Sequence, residues 1–233
     1  PCSLAVGTFG SRGMRAPVVP MAMARARPSC TAPITVAGAA SPLNGVNTVR
    51  LQGGSIALDA PFTLATVDGL VTLRAMDGDI VQSAGGAVSA AQISLLADAG
   101  SVLLGSPGLL NAATLVSGGV ATGERFVFRA DGTYTVATPG IAATGAEVDL
   151  SSATGSILQA LAAPILADRL VVAAAGDVTL DGGGASAGAA DLNRVGSLYA
   201  PTAGATLTLR NADPLTVEAA GSTALLNGGV VLE

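Results

Sequence analysis

Acidic residues beside glycines are the residues of this chain whose types and spacing could do chemistry. The segment "DGDI" contains Asp77 and Asp79, and "AAAGDVTLDGGG" contains Asp177 and Asp181. Two carboxylates at one turn could serve as general acid and base in polysaccharide cleavage, with Arg74 or Arg129 as a cationic neighbour. Acids among glycines could instead hold calcium, and the glycines could let a phosphate approach the backbone. Both segments are therefore candidate sites.

The rest of the composition restricts that chemistry. The chain has no His and no Lys, so its eleven basic residues are all Arg. The commonest general base, the Schiff-base amine and the commonest zinc ligand are therefore missing. A phosphate-binding G-x-x-x-x-G-K-[ST] loop needs Lys, and "DGGGASAGAAD" lacks the spacing of calcium-binding G-G-x-G-x-D repeats. We therefore predict no catalytic, metal-binding or cofactor-binding residues, and no cofactor.

A ten-residue pattern recurs along the chain and explains most of these acids. In each copy a glycine is followed by Ser or Asp, then Ile or Val, and two positions later by Leu or Gln. Asp79 and Asp177 occupy the Ser/Asp position, which Ser55, Ser101 and Ser156 fill in the other copies. The five copies are "VRLQGGSIAL" (49–58), "LRAMDGDIVQ" (73–82), "LLADAGSVLL" (95–104), "LSSATGSILQ" (150–159) and "VVAAAGDVTL" (171–180). Asp79 and Asp177 are therefore expected to cap turns, and "DGGG" to form a loop between repeats.

The repeat predicts an all-β solenoid. Three short alternating runs with three corners fill about 20 residues, which is one coil of a three-sided, single-stranded parallel β-helix. Stacked coils would bury an aliphatic column, with glycine at the corners because it tolerates positive φ. An antiparallel sandwich remains an alternative, because short strands and glycine turns suit it as well. Helical repeats are disfavoured, since no segment sustains helical periodicity.

The domain prediction has two parts. Residues 1–42 form an irregular or disordered Arg-containing lead-in, with a secretory signal as the alternative, and residues 43–233 form the β-helix. Cys2 and Cys30 lie in the lead-in and could pair in an oxidising compartment. The segment "ERFVFRADGTYTV" is predicted to be a β-hairpin insertion near 124–136, and the alternative is a protruding aromatic recognition element.

Charge limits the partners. Residues 59–233 carry six arginines against all sixteen acids, so nucleic-acid binding is not expected. No apolar run reaches the roughly 18 residues of a membrane span.

The segments "LTLRNADPLTVEAAG", "ISLLADAGSVLLG", "RLVVAAAGDVTLDG" and "NRVGSLYA" resemble the repeat region of filamentous-haemagglutinin-like exoproteins. These are large bacterial adhesins secreted by the two-partner pathway. The resemblance covers about residues 43–233 and implies right-handed β-helix coils in a secreted or cell-surface rod. We therefore expect a non-catalytic structural or adhesive segment. Its expected partners are cell-surface glycans or proteins and, during secretion, an outer-membrane transporter. The alternative is a β-helix carbohydrate-active enzyme, a polysaccharide lyase or hydrolase, that uses Asp77 and Asp79.

Overall fold

The computed structural model describes residues 32–37, 43, 45–83, 85–182, 188, 191–203, 206–218 and 229–232, and every regular element among them is a β-strand. The strands are β1 (Ile34–Val36), β2 (Thr48–Gly53), β3 (Ile56–Leu58), β4 (Phe62–Thr63), β5 (Leu70–Ala75), β6 (Ile80–Gln82), β7 (Val88–Ser89), β8 (Gln92–Ala97), β9 (Val102–Leu104), β10 (Leu115–Val120), β11 (Phe126–Ala130), β12 (Tyr134–Ser152), β13 (Ile157–Gln159), β14 (Ile165–Ala174), β15 (Val178–Leu180), β16 (Arg194–Ala203), β17 (Thr206–Leu209), β18 (Thr216–Val217) and β19 (Gly229–Leu232).

Each strand pairs in parallel with a strand one coil away in sequence. In β2, β5 and β8, for example, Leu51 lies opposite Leu73, and Leu73 lies opposite Leu95. The pairings stack about 8 turns into a β-solenoid, with about 22 residues in each turn. The predicted parallel β-helix is therefore confirmed, with coils slightly longer than expected. Every strand pairing in the described part of the chain is parallel, which rules out the antiparallel sandwich.

Three sides can be traced through the first half of the solenoid. Side A consists of β2, β5, β8 and β10, and side B consists of β1, β3, β6, β9 and β11. Side C begins with β4 and β7 and continues through the bridge between Ser89 and Ala112. The chain passes from side A to side B to side C in each coil.

The core is an aliphatic column inside these sides. Strand side chains alternate between the two faces, so the same register position points inward in every coil. One such column is fully or almost fully buried and consists of Ile56, Ile80, Val102, Phe126, Val148, Leu170 and Leu198. Burying one such side chain stabilises the fold by about 1.5–3 kcal/mol.

Close stacking of the coils requires glycine at two of the repeat corners, Gly100 and Gly155. A Cβ on Gly100 would lie 2.5 Å from the carbonyl carbon of Gly78, and one on Gly155 would lie 2.2 Å from the backbone nitrogen of Thr133. None of the five repeat glycines is among the residues with positive φ. The expectation that corner glycines adopt positive φ is therefore wrong at these positions. At Gly100 and Gly155 a side chain would push neighbouring coils apart.

In four of the five copies the side chain at the Ser/Asp position ties successive coils together, at Asp79, Ser101, Ser156 and Asp177. The backbone N–H of Ser101 donates to Oδ1 of Asp79 at 2.8 Å. In the same way, the N–H of Asp177 donates to Oγ of Ser156 at 3.0 Å, and the N–H of Thr206 donates to Oδ1 of Asp177 at 2.9 Å. The predicted capping is therefore confirmed, but the capped N–H belongs to the next coil rather than to the same turn.

The aromatic segment 124–136 differs from the predicted hairpin. Phe126 of β11 pairs in parallel with Val102 on one side and Val148 on the other. The start of β12 pairs in parallel with β13, with Tyr134 opposite Ile157. Both arms therefore belong to stacked coils. The side chains of Phe126, Phe128 and Tyr134 are buried, and the rings of the last two meet edge to face at 5.3 Å, so these aromatics fill the core and do not protrude.

The sides change roles at this segment. Leu115, early in β10, lies opposite Thr135, whereas Gly118 lies opposite Ile141, further along β12. Side A therefore divides into two sides. In the second half, side B consists of β11 and of residues 148–152, 170–174 and 198–203.

The second half repeats the first half, turned by one side. Gln82 ends β6 and Gln159 ends β13, and their amides donate to the carbonyls of Gly86 and Ala163, each four residues further on. Both Gln amides also donate to a buried asparagine, Asn111 in the first half and Asn193 in the second. Equivalent buried Gln–Asn networks therefore occur in both halves of the solenoid.

The structure describes only parts of the predicted lead-in 1–42 and of the "DGGG" loop. The strand Ile34–Val36 lies in the predicted lead-in 1–42, yet it pairs with β3, so coil pairing begins before residue 43. The remainder of that lead-in, with Cys2 and Cys30, lies almost entirely outside the described residues. Of the "DGGG" loop, Gly182 is described: its φ is +69° and its N–H donates to Oε1 of Gln159 at 2.9 Å. That glycine closes the buried network of the second half.

Candidate functional site

The acids singled out from the sequence lie at solvated corners. Asp77 and Asp79 are both exposed, and Asp79 accepts the N–H of Ser101 in the next coil. Arg74 forms its ion pair with Asp98, at 2.7 Å, and not with Asp77. Arg129 lies on side B, two coils beyond the coil of Asp79. The structure therefore does not bring these residues together as an acid–base site.

The described part of the chain also lacks a cluster of three or more acidic, cysteine or histidine residues that could hold a metal ion. Asp177 accepts the N–H of Thr206, which is the capping role expected for it. Within the described ranges, no helix is long and apolar enough to cross a membrane.

The densest group of charges lies on side B of the second half. We define the charged row as Arg125, Glu147, Arg169, Ser197 and Glu218. Glu147 lies opposite Arg169, and Arg169 lies opposite Ser197, so the row climbs the outside of successive coils. Glu147 binds both Arg125 and Arg169, and Arg169 continues to Glu218 at 2.8 Å. Charges of alternating sign therefore neutralise one another along the solenoid axis.

The ion pairs set the ionisation of the row. Burial opposes ionisation of Glu147, but hydrogen bonds from Arg169 and Arg125 outweigh it and hold the pKa of Glu147 below its ordinary value. Hydrogen bonds from Arg169 and Ser197 lower the pKa of Glu218. The two carboxylates also raise the pKa of Arg169. All three groups are therefore charged near neutral pH.

Next to the charged row runs a mainly apolar column of partly buried residues. We define this central column as Ala57, Val81, Leu103, Val127, Asp149, Val171 and Tyr199, which lie opposite one another in successive coils. Asp149 is the one carboxylate in it. Burial, and then the charge of Glu147, raises the pKa of Asp149. Tyr199 lies under the guanidinium of Arg169, at 5.1 Å from the ring centre.

A shallow groove lies on the other flank of the central column. Its volume is about 350 Å³, and it is lined by Arg129, Ser151 and Ala173 together with the adjoining corner residues 152–153 and 174–175. Arg129 forms no ion pair with any described residue. The groove floor consists of small side chains, so a ligand could approach the sheet closely there.

Glu147 and Asp149 are the functional candidates that sequence reasoning missed. Their pKa values are displaced in opposite directions, which is an arrangement that acid–base enzymes use. However, both oxygens of Glu147 are engaged by arginines, so this carboxylate is built into the surface as a structural ion pair. The signal for it was present in the sequence: Arg125, Glu147 and Arg169 alternate in sign at the spacing of one coil.

No family model, no curated protein and no solved structure matches this chain.

Proposed function

We propose that this chain is a structural or adhesive repeat segment of a large secreted or surface-exposed bacterial exoprotein of the haemagglutinin-like kind, and that it is not catalytic. The observation that carries the proposal is the continuous stack of about 8 coils. A solenoid extends by adding coils, because each coil contacts only its neighbours, and it therefore suits a rod that spans distance and displays a long face.

The use of polar residues supports the proposal. The acids at the repeat corners accept backbone N–H groups of the next coil. The charged row joins the coils that carry Arg125, Glu147, Arg169 and Glu218 through ion pairs. The buried amides of Gln82 and Gln159 bind the asparagines beneath the surface. These polar side chains therefore stabilise the stacking of the coils, as a spacer or an adhesive surface requires.

The experiment is a binding assay combined with a turnover assay. Purified chain is incubated with bacterial and host cells, and separately with soluble acidic polysaccharides whose length is followed by size-exclusion chromatography. The proposal predicts either surface binding or no interaction, with polysaccharide length unchanged. Depolymerisation that is lost in Asp79→Ala or Asp149→Asn would contradict it and support the lyase or hydrolase alternative.

The secreted location is tested at the gene. The proposal predicts that the chain belongs to an open reading frame far longer than the segment itself, next to a gene for an outer-membrane transporter. A short cytoplasmic reading frame without such a neighbour would contradict the location and the transporter partner.

A further inference from the structure

Side B presents two rows of opposite charge on neighbouring coils. The coil of β11 shows Arg125, Val127 and Arg129 outward, and the next coil shows Glu147, Asp149 and Ser151 at the equivalent positions. We define these as the cationic row and the acidic row. Neither Arg129 nor Asp149 forms an ion pair among the described residues. The charges of Arg125, Arg169 and Arg129 act on the Asp149 carboxylate only from a distance, so this face carries a charge of each sign that is not engaged in an ion pair.

We propose that side B is a self-association surface for a second copy of this chain. The two solenoids pack antiparallel, related by a two-fold axis that lies in the interface, parallel to the strands, between the cationic row and the acidic row. That symmetry places the cationic row of each copy over the acidic row of the other. Asp149 then faces Val127 of the second copy, with Arg125 and Arg129 about 7 Å to either side along the strand. A guanidinium on its long side chain can reach the carboxylate across that distance.

The same axis matches the apolar part of the central column. Counting coils outward from the axis, Leu103 faces Val171 of the second copy, and Val81 faces Tyr199 of the second copy. Leu103 and Val171 then form an apolar contact on each side of the charged centre, and Val81 meets the Tyr199 ring beside the guanidinium of Arg169. The opposite choice, with the two solenoids parallel, would place Asp149 against Asp149 of the second copy. Like charges in contact disfavour that arrangement.

The surface predicts a weak dimer. Six coil steps from Ala57 to Tyr199 span about 29 Å, and the strand from residue 125 to residue 129 spans about 13 Å. The face therefore offers on the order of 400 Å² per copy, about half of what a standard stable interface buries. Association is expected at high micromolar concentration and to weaken with added salt, because exposed ion pairs orient the copies.

A charge-swap experiment with sedimentation velocity tests the proposal. The unmodified chain is expected to show a concentration-dependent monomer–dimer equilibrium at low salt. Asp149→Arg and Arg129→Asp, each alone, should weaken dimerisation at least about tenfold, since each places like charges across the axis. The double variant should recover it. Arg50→Asp, an exposed charge reversal on side A, is the matched control and should leave dimerisation unchanged.

Three results would overturn the proposal: a monomer at every concentration, equal weakening by Arg50→Asp, or no recovery in the double variant. Far-ultraviolet circular dichroism confirms that each variant keeps its β-structure. The inference depends on the face of the solenoid and not on the adhesive role, so a monomeric chain would leave the proposed function untouched.

Discussion

Gln159→Leu should destabilise the solenoid much more than Gln82→Leu, although the two residues occupy equivalent positions. Gln159 donates to the carbonyl of Ala163 at 2.8 Å and to Asn193, and its Oε1 accepts the N–H of Gly182 at 2.9 Å. Gln82 makes the two donor bonds, to Gly86 and Asn111, but its buried Oε1 has no partner. The two sites therefore differ in one satisfied acceptor.

The magnitude follows from that difference. Leucine at position 159 would leave the N–H of Gly182 and the carbonyl of Ala163 buried without partners, at about 1–3 kcal/mol each. Leucine at position 82 also leaves the carbonyl of Gly86 unpaired, but it removes the unsatisfied oxygen, so the two costs largely offset. We expect Gln159→Leu to cost at least about 2 kcal/mol more than Gln82→Leu. For a chain of this size the gap in Tm is then at least roughly 4 °C.

Thermal unfolding of the two variants and the unmodified chain, followed by circular dichroism at one protein concentration, measures the gap. Urea unfolding gives the free-energy difference independently of the heat-capacity change. Equal destabilisation by the two substitutions, or greater destabilisation by Gln82→Leu, would refute the assignment of the networks.

Two stacking predictions and two charge predictions follow. Gly155→Ala should destabilise by about 2–3 kcal/mol, because its Cβ would lie 2.2 Å from the backbone nitrogen of Thr133, whereas Gly132→Ala, with nothing within 4 Å, should change the free energy of unfolding by less than about 1 kcal/mol. Urea unfolding compares them, and equal effects would contradict the close-stacking explanation. Burial and then Glu147 raise the pKa of Asp149, so its ionisation costs stability as the pH rises above the ordinary aspartate value of about 4. Asp149→Asn should therefore raise Tm at pH 7 in dilute protein, and the gain should vanish below about pH 4; a gain that persists in acid would have another cause. Glu147→Gln should cost only about 1 kcal/mol, since its ion pairs are partly solvated, and the loss should shrink in high salt; a salt-independent loss would contradict the ion-pair assignment.

The solenoid could be predicted from the sequence because its determinants are local and repeated. A glycine followed by Ser or Asp and an alternating Ile-x-Leu run marks each corner and the strand that follows, as in Gly100, Ser101, Val102 and Leu104. Five copies of that pattern were enough to identify stacked coils. The pattern did not reveal why glycine is needed, because the close contact between Gly100 and Gly78 exists only after the coils stack.

The turn of the pattern by one side could not be predicted. Alternation on both sides of "ADGT" is typical of a hairpin, and nothing local distinguishes it from a corner between two parallel strands. The pairing of Leu115 with Thr135 and of Gly118 with Ile141 distinguishes the corner from a hairpin, and both pairings are contacts between coils. Side B was missed for the same reason: Glu147 and Asp149 become neighbours of Arg125 and Arg129 only through coil register.

The most direct test of the parallel coil stack is a set of distances between spin labels on the central column, in a chain whose two native cysteines are replaced by serine and diluted with unlabelled protein. Stacking predicts that the separation grows with the number of coils at about 4.8 Å per step. Labels at Ala57 and Val127, three steps apart, should lie about 14 Å apart, and labels at Ala57 and Tyr199, six steps apart, about 29 Å apart. A linear increase across these pairs is the expected result. Separations that do not increase with coil number, or that reverse across residues 124–136, would contradict the account.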